Sequence, residues 1–168
     1  PPSHHKGKQM PDATNLSDLP DKNKVLSMSG LEFMKEIYKG NLPRPPIARL
    51  LNFYLTDVIE GGITYTGTPN FDHTNPMGSL HGGWYGTILD SCMACAVMTK
   101  VPKGSMYTTL EYKVNITRSI PLGMEVTARG WVQHVGRSTG VAASEIRGVD
   151  DQKTYATGST TCLIMKVS

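Results

Sequence analysis

The chain lacks nearly everything that marks a specialised class. Only 18% of its 168 residues are charged, and the balance is a mild +3. Lys and Arg are scattered with no block of five or more, which removes the basic stripe expected of a nucleic-acid binder. No apolar run approaches the roughly 20 residues that cross a bilayer, and residues 1–23 carry no basic-then-apolar signal pattern. The expectation is a cytoplasmic protein with neither a membrane nor a nucleic-acid partner. Cysteine is scarce too, limited to Cys92, Cys95 and Cys162. Cys92 and Cys95 have C-x-x-C spacing, but they sit inside an apolar helical run, so buried packing outweighs redox or zinc use. No second Cys/His pair completes a metal site, and neither metal nor cofactor is expected.

What is present is a 39% hydrophobic composition, that of a globular domain. One domain is expected over residues 25–168, behind a mobile leader, residues 1–24, which is polar and aperiodic. Ser29 and Glu32 have capping-box spacing, and Leu31, Met34, Ile37 and Tyr38 share a helical face that Gly40 ends. Pro45-Pro46 opens a second short helix. Phe53–Val58 and Ile63–Thr68 read as strands around Glu60-Gly61-Gly62. Gly82 to about Met98 reads as a helix apolar over most of its circumference, the kind covered on nearly all sides.

Only strand patterns follow: Tyr107–Thr117, Glu125–Val135, Thr139–Arg147 and Thr154–Val167. In the first, alternation places Leu110, Tyr112, Val114 and Ile116 on one face and Thr109, Glu111, Lys113 and Asn115 on the other. The fold class is therefore α+β, a long central helix wrapped by a curved antiparallel sheet of roughly five to six strands, with extra N-terminal helices. A doubly wound fold does not fit, because helices do not alternate with the later strands.

The chemistry concentrates in Asn75-Pro76-Met77-Gly78-Ser79-Leu80-His81-Gly82-Gly83 and the helix running on to Asp90. Glycines opening a helix let another group approach the free N–H donors there, where the dipole favours negative charge. A carbonyl becoming an oxyanion is such a group; a tight turn is the plainer alternative. No Lys-Ser/Thr follows, so this is not a phosphate loop. His81 and Asn75 could touch a substrate, or simply shape the loop. Asp90 is sharper: deep in an apolar helix it caps nothing, and a carboxylate there is costly unless paired or used. It could activate water or attack an acyl carbon. Gly82 and Asp90, eight residues apart, are separated by about 12 Å of helix. If both serve one substrate, a second copy must lay its helix antiparallel alongside, giving a twofold dimer with two shared sites.

These residues resemble the hotdog-fold acyl-CoA thioesterases of the phenylacetate-degradation (PaaI-like) type, related to the 4-hydroxybenzoyl-CoA thioesterases. The likeness covers roughly residues 30–166. It rests on Asn75-x-x-Gly78-x-x-His81-Gly82-Gly83 with Asp90 at the family's spacing, supported by Thr108-Thr109-Leu110-Glu111, the Gly136-Arg137 turn and Ala156-x-Gly158-x-x-Thr161-Cys162. The resemblance implies hydrolysis of an acyl-coenzyme A thioester, with coenzyme A as part of the substrate and no separate cofactor. It implies Asp90 as nucleophile or general base, the Gly82 N–H on the carbonyl with Asn75 assisting, His81 near the sulfur, and Thr109 placing water.

Gly83, Thr108, Arg137 and Ser138 are the implied substrate contacts, although Arg137 and Ser138 also read as an ordinary solvated turn. Trp84, Tyr85, Met77 and Phe71 are candidates for the acyl pocket or for plain packing. A homotetramer built from dimers is implied by the likeness alone. The competing reading is a non-catalytic hotdog acyl-CoA-binding or regulatory protein, against which the desolvated Asp90 argues. A hotdog dehydratase or hydratase needs a different His and acid arrangement.

Overall fold

A computed structural model describes residues 12–167. Six strands form one sheet: β1 (Phe53–Ile59), β2 (Gly62–Gly67), β3 (Ser105–Ile116), β4 (Val126–Val135), β5 (Thr139–Gly148) and β6 (Thr154–Lys166). Neighbours are all antiparallel, in the order β1-β2-β4-β5-β6-β3. The long helix, α4 (Gly82–Met98), lies in sequence between β2 and β3 and packs against β2, β3, β4, β5 and β6. Before the sheet come α1 (Lys22–Leu26), α2 (Gly30–Tyr38) and α3 (Pro46–Leu50).

Local chemistry sets the ends of these elements. The Ser29 hydroxyl accepts from the Glu32 N–H at 3.2 Å, and the Glu32 carboxylate accepts from the Ser29 N–H at 2.7 Å, a complete capping box for α2. Pro46 takes the first position of α3, where a missing N–H costs nothing. The β1–β2 hairpin turns through Gly61 at φ +78°, in the left-handed region that glycine enters freely.

Ile88, Leu89, Cys92, Met93, Ala96 and Val97 of α4 are fully buried against Val126, Ala128, Ala142, Ile146, Ala156 and Cys162 of the sheet. Burying each large aliphatic side chain stabilises by about 1.5–3 kcal/mol. Backbones also touch: a Cβ on Gly130 would sit 2.4 Å from the Cys92 carbonyl oxygen. The helix is not covered all round, however. Thr87, Asp90, Ser91 and Cys95 keep partial exposure along one strip.

One expectation is corrected. The β3–β6 register slips between Thr109, opposite Cys162, and Glu111, opposite Thr161. Leu110 is the extra residue, 58% exposed. A bulge of this kind reverses the side-chain alternation beyond it. Thr109 and Tyr112 therefore both face α4 instead of opposite sides, and Leu110 leaves the apolar set. The Thr160 hydroxyl donates to the Glu111 carbonyl at 2.6 Å and pins the bulge.

The expected leader, residues 1–24, lies partly outside the described residues. Within it, Asp12 pairs with Arg44, which lowers the Asp12 carboxyl, and Ala13 is buried. Among the described residues no helix is long and apolar enough to cross a membrane.

Candidate active site at the α4–β3 seam

The loop before α4 is held by its own side chains. The Asn75 Oδ1 accepts from the Met77 N–H at 2.9 Å and the Ser79 N–H at 3.2 Å, while Nδ2 donates to Ser79 Oγ at 2.8 Å. That leaves Asn75 one amide hydrogen for a ligand. His73 is buried with both ring nitrogens in use. Nδ1 accepts from the Asn70 N–H at 3.0 Å, so Nε2 carries the proton to the Leu50 carbonyl at 2.8 Å.

His81 is the N-cap of α4, and its Nδ1 accepts from the Gly83 N–H at 2.8 Å. The neutral ring thus carries its proton on Nε2, directed away from the cap. Gly83 is spent on this bond. Gly82 is exposed, and its N–H, ahead of the first helical hydrogen bond, has no acceptor among the described residues. It is the donor the helix leaves for an incoming oxygen, at the end where the dipole favours negative charge.

Asp90 lies two turns further along, half-buried. Burial pushes its carboxyl above the ordinary value, and the Thr109 hydroxyl, donating to Oδ1 at 3.0 Å, pulls it part-way back. No cation pairs with it among the described residues. A carboxylate kept basic by desolvation and aimed by one hydroxyl is suited to take a proton from water or to attack.

Gly82, Gly86 and Asp90 recur at four-residue spacing, on one line of the helix. β3 runs down that line. Ile116 Cδ1 is 3.7 Å from where a Gly82 Cβ would be, the Tyr112 ring and hydroxyl are 3.3 Å from the equivalent point on Gly86, and Thr109 meets Asp90. Thr108 points the other way and is exposed. Arg137 and Ser138 are exposed at the β4–β5 turn, beyond Gly140, which packs on Val97 near the far end of α4. One chain therefore does not bring the Gly82 end together with Asp90, nor either of them with the Arg137 turn.

Trp84 and Tyr85 are packing residues. The Trp84 indole donates to the Leu51 carbonyl at 2.9 Å, and the Tyr85 hydroxyl accepts from the Ile120 N–H at 2.8 Å. Phe71 and Met77 stand 79% and 87% exposed. Cys92 donates to the Leu89 carbonyl, and burial pushes the Cys95 thiol up to about 11, so both remain thiols at neutral pH.

Residues 77–155 match the family model described as the thioesterase superfamily. The chain carries a thioesterase superfamily domain. That match supports a thioester hydrolase, and the fold is the hotdog fold. The structure of the E. coli PaaI protein, from the phenylacetic acid degradation operon, superposes with a TM-score of 0.69 at 24% identity, over 85% of this chain and 96% of its own. A putative thioesterase from Ralstonia eutropha JMP134, described as phenylacetic acid degradation-related, gives 0.70 at 24% identity over 78% and 98%. Zebra fish thioesterase superfamily member 2 gives 0.67 at 22% identity over 79% and 96%. No curated protein matches the sequence.

Tyr112 and Thr160 are the seam residues that sequence reasoning passed over. The bulge that turns Tyr112 toward α4 contains neither Gly nor Pro, so nothing local announces it.

Proposed function

We propose that this thioesterase domain hydrolyses an acyl-coenzyme A thioester to a free acid and coenzyme A, with Asp90 as nucleophile or general base. The observation that carries the proposal is the Asp90 carboxylate, desolvated, unpaired by any described cation and oriented by Thr109. In the general-base form, Asp90 takes a proton from water as the water oxygen bonds the acyl carbon. The carbon–sulfur bond then breaks, and the proton passes to the leaving thiolate. The Gly82 N–H holds the oxyanion, with Asn75's remaining amide hydrogen assisting, and His81 Nε2–H faces the sulfur. No cofactor enters these steps.

Because about 12 Å of helix separates Gly82 from Asp90, each site combines the Gly82 end of one subunit with Asp90 of another. The minimum unit is a homodimer, and a dimer of dimers extends it. Gly83 closes the cap, while the Arg137–Ser138 turn and Thr108 are surface contacts for the nucleotide. The mild basic excess suits a phosphorylated substrate.

The test is coenzyme A release from acetyl, medium-chain, long-chain and aryl-acyl thioesters. Asp90→Asn should abolish turnover. Gly82→Pro deletes the N–H at a position where proline suits the helix, and should cost about 10²–10³ in kcat. A parent protein inactive on the whole panel rules out hydrolysis. Asp90 variants at parental rates rule out the mechanism.

A further inference from the structure

We infer that Tyr112 is a specificity-determining residue that sets the largest acyl group the site accepts. This rests on the acyl-thioester reading above. Three observations lead to it. The Tyr112 ring and hydroxyl lie against Gly86, at 3.3 Å from the point a Cβ would occupy. Gly86 is midway between Gly82 and Asp90 on the same helical line, about 6 Å from each. The ring itself is 48% exposed, and Ile116, against Gly82, is 49% exposed.

When the Gly82 end of one helix meets Asp90 of an antiparallel partner, the midpoint of the contact is Gly86 against Gly86. The pair is self-complementary about the twofold axis. Tyr112, seated on Gly86, then stands between the two sites and forms the inner end wall of each. The thioester has one apolar end and one highly charged end. The charged nucleotide stays in water, and the acyl group is the part that gains by entering this apolar seam. It runs from the Gly82 N–H along Ile116 toward Tyr112 and stops at the ring. The bulge at Leu110 is what turns this side chain inward; without it the seam would be open at its centre.

The role belongs to the ring rather than the hydroxyl, which separates the predictions. For the intact chain, kcat/KM is measured across acetyl-, butyryl-, hexanoyl- and decanoyl-coenzyme A, and Kd for the matching non-hydrolysable thioethers by calorimetry. Tyr112→Ala should raise the decanoyl-to-acetyl ratio by about tenfold or more, since each added methylene housed in an apolar pocket is worth a large factor. Tyr112→Trp should lower the ratio, and Tyr112→Phe should leave it within about twofold of the parent. The Trp variant keeps the test open should the Ala variant fold poorly.

Unchanged ratios in both Ala and Trp variants overturn the inference, as does a Phe variant that behaves like Ala. Binding without turnover overturns hydrolysis alone, because the Kd ratios still report on Tyr112. Neither binding nor turnover of any chain length overturns both.

Discussion

Asp90 is costly to the fold, and the proposed mechanism puts that cost to use. Its carboxyl is raised by burial, so the charged form is the disfavoured one in the folded protein. The stability it contributes is complete below the unfolded carboxylate range and is lost as pH rises through the folded value. Asp90→Asn should accordingly melt at or above the parental temperature at neutral pH and converge with it in acid, while turnover disappears. A lower melting point at pH 7 would show that the charge is compensated after all. Thr109 works in the opposite sense, because its hydroxyl stabilises the carboxylate. Thr109→Val should move the acid limb of the kcat/KM profile to higher pH, and Thr109→Ser should restore it. His81 offers a control on structure: His81→Ala removes the acceptor for the Gly83 N–H and should cost about 1 kcal/mol in denaturant melts, which His81→Asn should largely recover.

Among the elements, β3 departs most from what alternation implies. Its first half presents Thr109 to α4 and its second half presents Tyr112, and only the extra residue between them reconciles the two. Thr160 holds the displaced Glu111 carbonyl. Thr160→Val should leave that acceptor unpaired, costing about 1–3 kcal/mol in thermal or denaturant melts. The acid limb should also move in the direction given by Thr109→Val, because loss of the bulge loosens Thr109 on Asp90. A destabilised variant with an unmoved limb would confine Thr160 to a structural role. Apart from α1, which begins inside the expected leader, the main elements were legible: the Ser29–Glu32 box, Pro46, the Gly61 turn and the full length of α4 are written in neighbouring residues, and each stands where short-range chemistry puts it.

For the whole molecule, the decisive feature is that the two ends of the motif lie apart on one rigid helix, while the sheet ends at β3, whose outer edge has no partner among the described residues. A shared site makes a clear prediction for mixed subunits. Under the proposed mechanism Asp90→Asn and Gly82→Pro should each be nearly inactive alone, but a mixed dimer would hold one site with both groups intact. Random one-to-one reassembly should recover about a quarter of parental activity, since half the dimers are mixed and each has one working site of two. No recovery, with mixed dimers verified by native mass spectrometry, would place both groups in one chain.

By itself the sequence determined most of the elements, the α+β class and the shortlist of reactive groups, because capping, turns and hydrophobic period depend on residues within a few positions of one another. The spacing of Gly82 and Asp90 even placed the two groups too far apart for one carbonyl, since helical rise is invariant. Only the tertiary structure decided that Thr109, and not Thr108, meets Asp90 from behind a bulge, that the Asn75 and His81 side chains are largely spent on their own backbone, and that Tyr112 stands at the centre of the seam. Those outcomes depend on which strand pairs with which and in what register. That is settled by contacts between residues as far apart as Glu111 and Thr160, where a single inserted residue changes every side chain that follows.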